Sequence, residues 1–135
     1  MRRLIFLLLT ACSSHSTGAS PDAPSDGTAD APSNGTYQLA CESHATTFPL
    51  LDKSCMSTSD CFIALHTVSC CGTEIAVGLS TSSQVTFNTV EAACDAGYPG
   101  CGCASGPTRA EDGRGEDQGA IQLECRAGSC TTYVP

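Results

Sequence analysis

Large apolar side chains occur along this chain in short, separated runs, and the spacing inside each run indicates the element it forms. Leu4 to Leu9 is an unbroken apolar stretch behind Arg2 and Arg3, far below the roughly 20 residues a membrane-crossing helix requires. From Ser13 to Thr36 no large apolar residue occurs. That stretch, mostly Ser, Thr, Gly, Pro, Ala and Asp, cannot bury enough surface to offset the entropy of ordering a chain. Further on, Phe62-Ile63-Ala64-Leu65-His66-Thr67-Val68 has the composition and length of a strand. Glu74-Ile75-Ala76-Val77-Gly78-Leu79 alternates large apolar with small or polar residues, and Cys71-Gly72-Thr73 between the two predicts a hairpin. From Ser83 to Asp95, Phe87, Val90, Ala93 and Cys94 recur at helical spacing. A Ser and Thr cluster able to cap an N-terminus precedes them, and Gly97 suits the stop. Ala120 to Arg126 and Cys130 to Val134 flank Ala127-Gly128-Ser129 and predict a second hairpin, whose arms Cys125 or Cys130 could tie.

Between the helix and that hairpin, Tyr98 to Gly119 is rich in Gly and Pro, with Cys101 and Cys103 at its start. Its second half, Glu111-Asp112-Gly113-Arg114-Gly115-Glu116-Asp117, reads by composition as a mobile, solvated acidic loop.

Cysteine usage changes the picture most. The 135 residues include 11 Cys and no Trp, a density that suits an exported protein in an oxidising compartment rather than a cytosolic one. Ten lie in the segment from Tyr37 to Pro135: Cys41, Cys55, Cys61, Cys70, Cys71, Cys94, Cys101, Cys103, Cys125 and Cys130. Five disulfides would satisfy them all, with the connectivity left open by spacing. Cys70 and Cys71 are adjacent and Cys101 and Cys103 could join only under strain, so these four are expected to reach different partners. The expected fold is a small, disulfide-rich α+β domain, mostly antiparallel sheet with one helix. Large apolar residues number only 21 of 99 there, so the bridges are expected to hold the fold as much as apolar burial does.

The odd cysteine is Cys12. Leu9-Thr10-Ala11-Cys12 behind the apolar run resembles the lipobox of bacterial lipoproteins. In that family the thiol receives a diacylglyceryl group, the signal is cut before the cysteine and the new amine is acylated. The resemblance implies a signal at 1–11, lipid attachment at Cys12 and a tether at 12–36, ahead of the cysteine-rich domain at 37–135. Two or more acyl chains anchor a protein stably, so the implied partner is the membrane, met through the lipidated N-terminus. An Asp directly after the cysteine often retains such lipoproteins at an inner membrane. Ser13 stands there instead, which favours the outer membrane of the cell envelope. In the tether, Asp22-Ala23-Pro24-Ser25-Asp26-Gly27-Thr28 recurs as Asp30-Ala31-Pro32-Ser33-Asn34-Gly35-Thr36, a grown linker that would span roughly 27 Å as a flexible coil. Its style is similar to linkers of myxobacterial lipoproteins.

Charge and motifs then exclude function classes. A net charge of −8, from 14 carboxylates against six Lys and Arg, opposes binding to a phosphate backbone, so no nucleic acid partner is expected. No cofactor is expected either. For a metal, Cys70-Cys71, Cys101-Gly102-Cys103 and His66 lack the spacing of zinc sites, and an oxidising compartment removes thiolates. Glu111, Asp112, Glu116 and Asp117 lack the pattern of a calcium loop. His44 and His66 are accompanied by no Gly-x-Ser-x-Gly or His-Glu-x-x-His motif, so no catalytic residue is assigned and His66 is read as a packed or edge side chain. Ser59-Asp60-Cys61 followed by Cys70-Cys71-Gly72 resembles the centre of whey acidic protein four-disulfide modules, which implies protease inhibition as the alternative function. The gap is longer here, and the predicted helix has no place in those modules. The leading expectation is a lipid-anchored binding or structural module at the bacterial envelope, with an envelope protein or glycan as partner.

Overall fold

The computed structural model describes residues 35–135; the signal, Cys12 and the tether up to residue 34 lie outside the described residues. In chain order the elements are β1 (Thr36–Tyr37), β2 (Leu51–Asp52), β3 (Cys61–Thr67), β4 (Glu74–Ser80), α1 (Gln84–Asp95), β5 (Gln122–Arg126) and β6 (Ser129–Tyr133). The strands pair as three separate antiparallel two-stranded sheets, β1 with β2, β3 with β4, and β5 with β6. The domain is a small disulfide-rich α+β fold, built of hairpin-sized pieces rather than one continuous sheet.

The β3–β4 hairpin is the centre. Its register runs from Cys61 opposite Ser80 to Thr67 opposite Glu74, and the loop closes through Val68 N–H on Thr73 O at 2.8 Å and Gly72 N–H on Ser69 O at 3.0 Å. Because side chains alternate across a strand, Ala64, Val77 and Leu79 share one face. There they pack with Phe48, Leu51, Phe87 and Cys94 to form the core. The other face of β4 meets β6. A Cβ on Gly78 would stand 2.7 Å from the backbone of Cys130 and Thr131, so only glycine lets the two strands approach this closely.

The helix buries Phe87, Glu91 and Cys94, with Val90 partly covered. Ala93, expected on this face, is exposed, and Glu91 takes its place. Its carboxylate is admitted because buried donors await it, as described below. Nor does Ser83 cap the helix with its side chain. Its hydroxyl accepts the Asp52 N–H at 2.8 Å, which ties β2 to the helix start, and a 3-10 turn at Thr81–Ser83 leads into α1 instead.

The apolar pattern gave no sign of β1 and β2, which are two residues each. Lys53 N–H donates to Gly35 O at 2.7 Å, so the hydrogen-bonded structure takes in Gly35 and Thr36. Beyond β2 the chain pairs on with the last hairpin. Cys130 N–H donates to Lys53 O at 2.7 Å and Cys55 N–H to Gly128 O at 3.1 Å.

Five disulfides join Cys41 to Cys94, Cys55 to Cys125, Cys61 to Cys130, Cys70 to Cys101 and Cys71 to Cys103, with Cα separations of 5.3–5.9 Å. Cys125 and Cys130 face each other across β5 and β6, yet neither ties the two arms. A bridge there would close a loop already closed by the turn. The observed bridges span 70 and 69 residues, and in the chain-entropy view a long loop is worth more. Cys70–Cys71 and Cys101-Gly102-Cys103 form two bridges side by side, holding an exposed segment, 99–107, that adds almost nothing to the core.

Ala127 and Gly128 both have positive φ, 49° and 79°, as a two-residue type I′ turn requires, and the left-handed region penalises alanine. Ala127→Asn should raise the unfolding free energy by about 1 kcal/mol, measured as a shift of the denaturant midpoint at constant slope; an unchanged midpoint contradicts the turn assignment. Cys101 and Cys103 are exposed whereas Cys94 and Cys130 are fully buried. Partial reduction followed by alkylation and peptide mapping should therefore label Cys70, Cys71, Cys101 and Cys103 first, and early labelling of Cys94 or Cys130 contradicts this order.

Candidate functional site

Two buried polar clusters and one surface groove concentrate the chemistry of the described residues. The first cluster is built on β3 and α1. His66, 1% exposed, sets Nδ1 2.7 Å from Glu91 Oε2 and Nε2 2.9 Å from the Ala40 carbonyl. The other Glu91 oxygen accepts the Thr67 N–H at 2.8 Å, and the Phe48 ring stands edge-on to the imidazole at 5.1 Å between centroids. Both ring nitrogens face acceptors, so both donate and the ring is an imidazolium. Burial by itself pulls the pKa of His66 down. The Glu91 hydrogen bond and charge, the Ala40 carbonyl and the Asp95 charge outweigh it, so the pKa lies above its ordinary value. With both nitrogens occupied and no solvent access, His66 is a structural pin and not an available base.

The second cluster is centred on Glu111. Lys53, whose side chain is 2% exposed, forms an ion pair with Glu111 Oε1 and lies 4.9 Å from the centre of the Tyr37 ring. Glu111 Oε2 accepts the Thr132 N–H at 2.8 Å and the Gly78 N–H at 3.1 Å, and Thr132 Oγ1 donates to Ala76 O at 2.7 Å. Burial, then the Glu111 charge, pushes the Tyr37 phenol up. One carboxylate thus joins β4, β6 and the residue after β2.

Residues 111–117 are exposed except Gly115, as a solvated loop would be, but hydrogen bonds pin the segment, which corrects its reading as mobile. Glu111 is drawn inward, and Asp112 accepts the Val134 and Arg114 N–H groups at 3.1 and 3.0 Å. The main chain is pinned by Ala110 N–H on Arg114 O at 2.8 Å and Glu116 N–H on Thr108 O at 3.0 Å. Composition could not reveal this, because an acidic side chain is buried only where donors converge from elsewhere in the sequence. Of the four carboxylates weighed for calcium, Glu111 and Asp112 are therefore engaged internally.

The sulfur atoms of Cys70, Cys101 and Cys103 lie within 4.8 Å of one another, as do those of Cys55, Cys61 and Cys130. Each group draws its three sulfurs from two neighbouring disulfides, and bridged sulfurs lack the thiolate charge that binds a soft cation. His44, the other candidate imidazole, is exposed, with φ 56°, remote in role from His66. Asp60, part of the segment similar to whey acidic protein modules, accepts the Met56 and Ser57 N–H groups at 3.0 and 2.9 Å. These bonds hold its carboxyl below the usual range. α1 lies in the chain between Cys71 and its partner Cys103.

The groove is the most apolar of the accessible features weighed among the described residues. It encloses about 520 Å³ between β3 and the segment leading into β5, lined by Ile63, Leu65 and Ala76 on one side and Gly119, Ala120 and Ile121 on the other, with Glu116 beside them. Ile63 and Leu65 are 38% and 46% exposed. Composition and length marked β3 as a strand, but which of its faces is left open depends on where α1 packs. Comparison with known proteins adds no guide: no protein family, no characterised protein and no solved structure matches this chain. Among the described residues no helix is long and apolar enough to cross a membrane.

A pH dependence follows from the first cluster. Because the native pKa of His66 is raised, its contribution to stability is fully present below the unfolded value of about 6.5. It is lost as pH rises through the native pKa. Unfolding free energies of the wild type measured from pH 5 to 9 should fall across that window, and Glu91→Gln should flatten the fall. A wild-type profile with no decrement there contradicts the imidazolium assignment.

Proposed function

We propose that this chain is a bacterial lipoprotein whose cysteine-rich domain hangs from the envelope membrane by lipid on Cys12 and acts there as a binding or structural module. One observation carries the reading. The ten cysteines among the described residues are consumed by five mutual bridges, so none of them is left over for Cys12, which stands at the end of a lipobox-like sequence. A stapled domain of this kind suits an oxidising, extracytoplasmic compartment. The polar stretch that follows Cys12 supplies a spacer between lipid and domain.

Fractionation of cells expressing the protein tests this directly. Wild-type chain should sediment with membranes and dissolve in detergent, whereas Cys12→Ala should appear in the soluble extracytoplasmic fraction. Equal membrane retention of the two proteins overturns the anchor.

A further inference from the structure

We propose that the outer edge of β3 is a docking site for an extended, basic segment of another protein, which adds to β3 as a further strand and seats alternate apolar side chains in the groove beside Ile63 and Leu65. The proposal deepens the reading of the domain as a binding module and rests on it.

The Ala76 N–H donates to Arg109 O at 2.7 Å and the Gly78 N–H to Glu111 Oε2 at 3.1 Å, so both residues turn their backbone groups away from β3. In register they stand opposite Leu65 and Ile63. Residues directly opposite in an antiparallel ladder are of one hydrogen-bonding class. Leu65 and Ile63 therefore also turn their N–H and C=O groups outward, on the far side of the hairpin. There the Thr67 N–H is taken by Glu91 at 2.8 Å and the Thr67 carbonyl accepts the Tyr98 hydroxyl at 3.0 Å. For the N–H and C=O groups of Ile63 and Leu65 no partner occurs among the described residues. The contrast with β4 is sharp, because its outer edge is covered by the Arg109 main chain and by the Glu111 and Thr132 side chains. Proteins cover or blunt sheet edges as a rule, so an edge left open beside an apolar groove has the features of strand addition.

Geometry sets the sequence pattern of the occupant. Residues opposite Ile63 and Leu65 exchange paired N–H···O=C bonds with them, and their side chains, two positions apart, stand on the groove face. Charge sets the rest. Of the 14 carboxylates only Asp22, Asp26 and Asp30 precede Gly35, and of six Lys and Arg only Lys53, Arg109, Arg114 and Arg126 follow it. Lys53 is buried in its ion pair. Glu116 lines the groove. At the Thr67 end, burial and the charges of Asp95, Glu91 and Glu116 hold the Glu74 carboxyl above its ordinary pKa, which marks a crowded negative field. A second copy of this acidic chain would be repelled from such an edge, whereas a Lys or Arg two residues beyond the apolar pair would be drawn to it.

The test uses the full-length oxidised chain and a fluorescein-labelled synthetic peptide in which valine alternates with threonine and a lysine precedes the first valine by two residues, the position that antiparallel pairing sets beside the Thr67 end. Anisotropy should report saturable binding, and N-methylation of the two amides that face Ile63 and Leu65 should weaken it at least tenfold while leaving every side chain intact. Leu65→Lys should abolish binding, with intact mass verifying that all five bridges remain. Glu116→Gln should weaken binding about two- to fivefold at low salt and much less at high salt. The proposal is overturned if the N-methylated or a glutamate-for-lysine peptide binds equally well, or if no peptide binds. It is also overturned if sedimentation shows the chain dimerising in a manner that Leu65→Lys removes, which would assign the edge to a second copy. Loss of peptide binding leaves the membrane retention of the wild type untouched, so failure here is distinguishable from failure of the anchor.

Discussion

None of the three strand pairs in this domain can stand alone, and that constraint governs the rest of the structure. An isolated two-stranded hairpin is marginal in water, and here each sheet has two strands. What makes a single folded unit is therefore whatever crosses between them. Cys61–Cys130 joins the first strand of the central hairpin to the last strand of the chain, and Cys55–Cys125 joins the segment after β2 to β5. Gly78 allows β6 to lie directly on β4. The Glu111 carboxylate then receives backbone donors from both strands and the Lys53 ammonium as well. Covalent bridges restrict the unfolded chain, while the carboxylate satisfies donors that would otherwise be buried without partners. The two devices act on opposite sides of the folding equilibrium.

An acidic chain with few bases places its scarce cations with care. Lys53 and the His66 imidazolium are both fully buried, and each faces a glutamate held by further backbone donors. Buried ion pairs add little net stability compared with apolar packing. Their value lies in specifying one arrangement, since a misplaced hairpin would leave a charge buried without its partner. The same arrangement leaves the surface strongly anionic and leaves one sheet edge, at Ile63 and Leu65, open beside a shallow apolar groove. Stability and candidate recognition surface thus arise from one decision, namely which edge of the β3–β4 hairpin the later loops cover.

Much of the secondary structure was legible because it is locally encoded. The central hairpin and the helix carry strand composition, alternation or helical spacing with a turn or stop signal, the C-terminal hairpin is marked by its turn, and each lies within a few residues of its expected place. What the pattern missed has a common cause. β1 and β2 are too short to have a period. Glu91 and Glu111 look like solvent-exposed residues until donors from distant segments converge on them. Ser83 looks like a cap until Asp52 claims its hydroxyl.

The sequence by itself determined that ten cysteines fall in one segment and an eleventh behind a short apolar run, and it determined the type of the main elements. Composition and local periodicity suffice for both. Only the tertiary structure decided the pairing of the bridges, the burial of Lys53, His66 and Glu91, the inward turn of the Glu111 carboxylate, and the choice of which strand edge stays open. Those outcomes depend on which residues far apart in the chain come within about 3 Å of each other, and no spacing along the sequence records that.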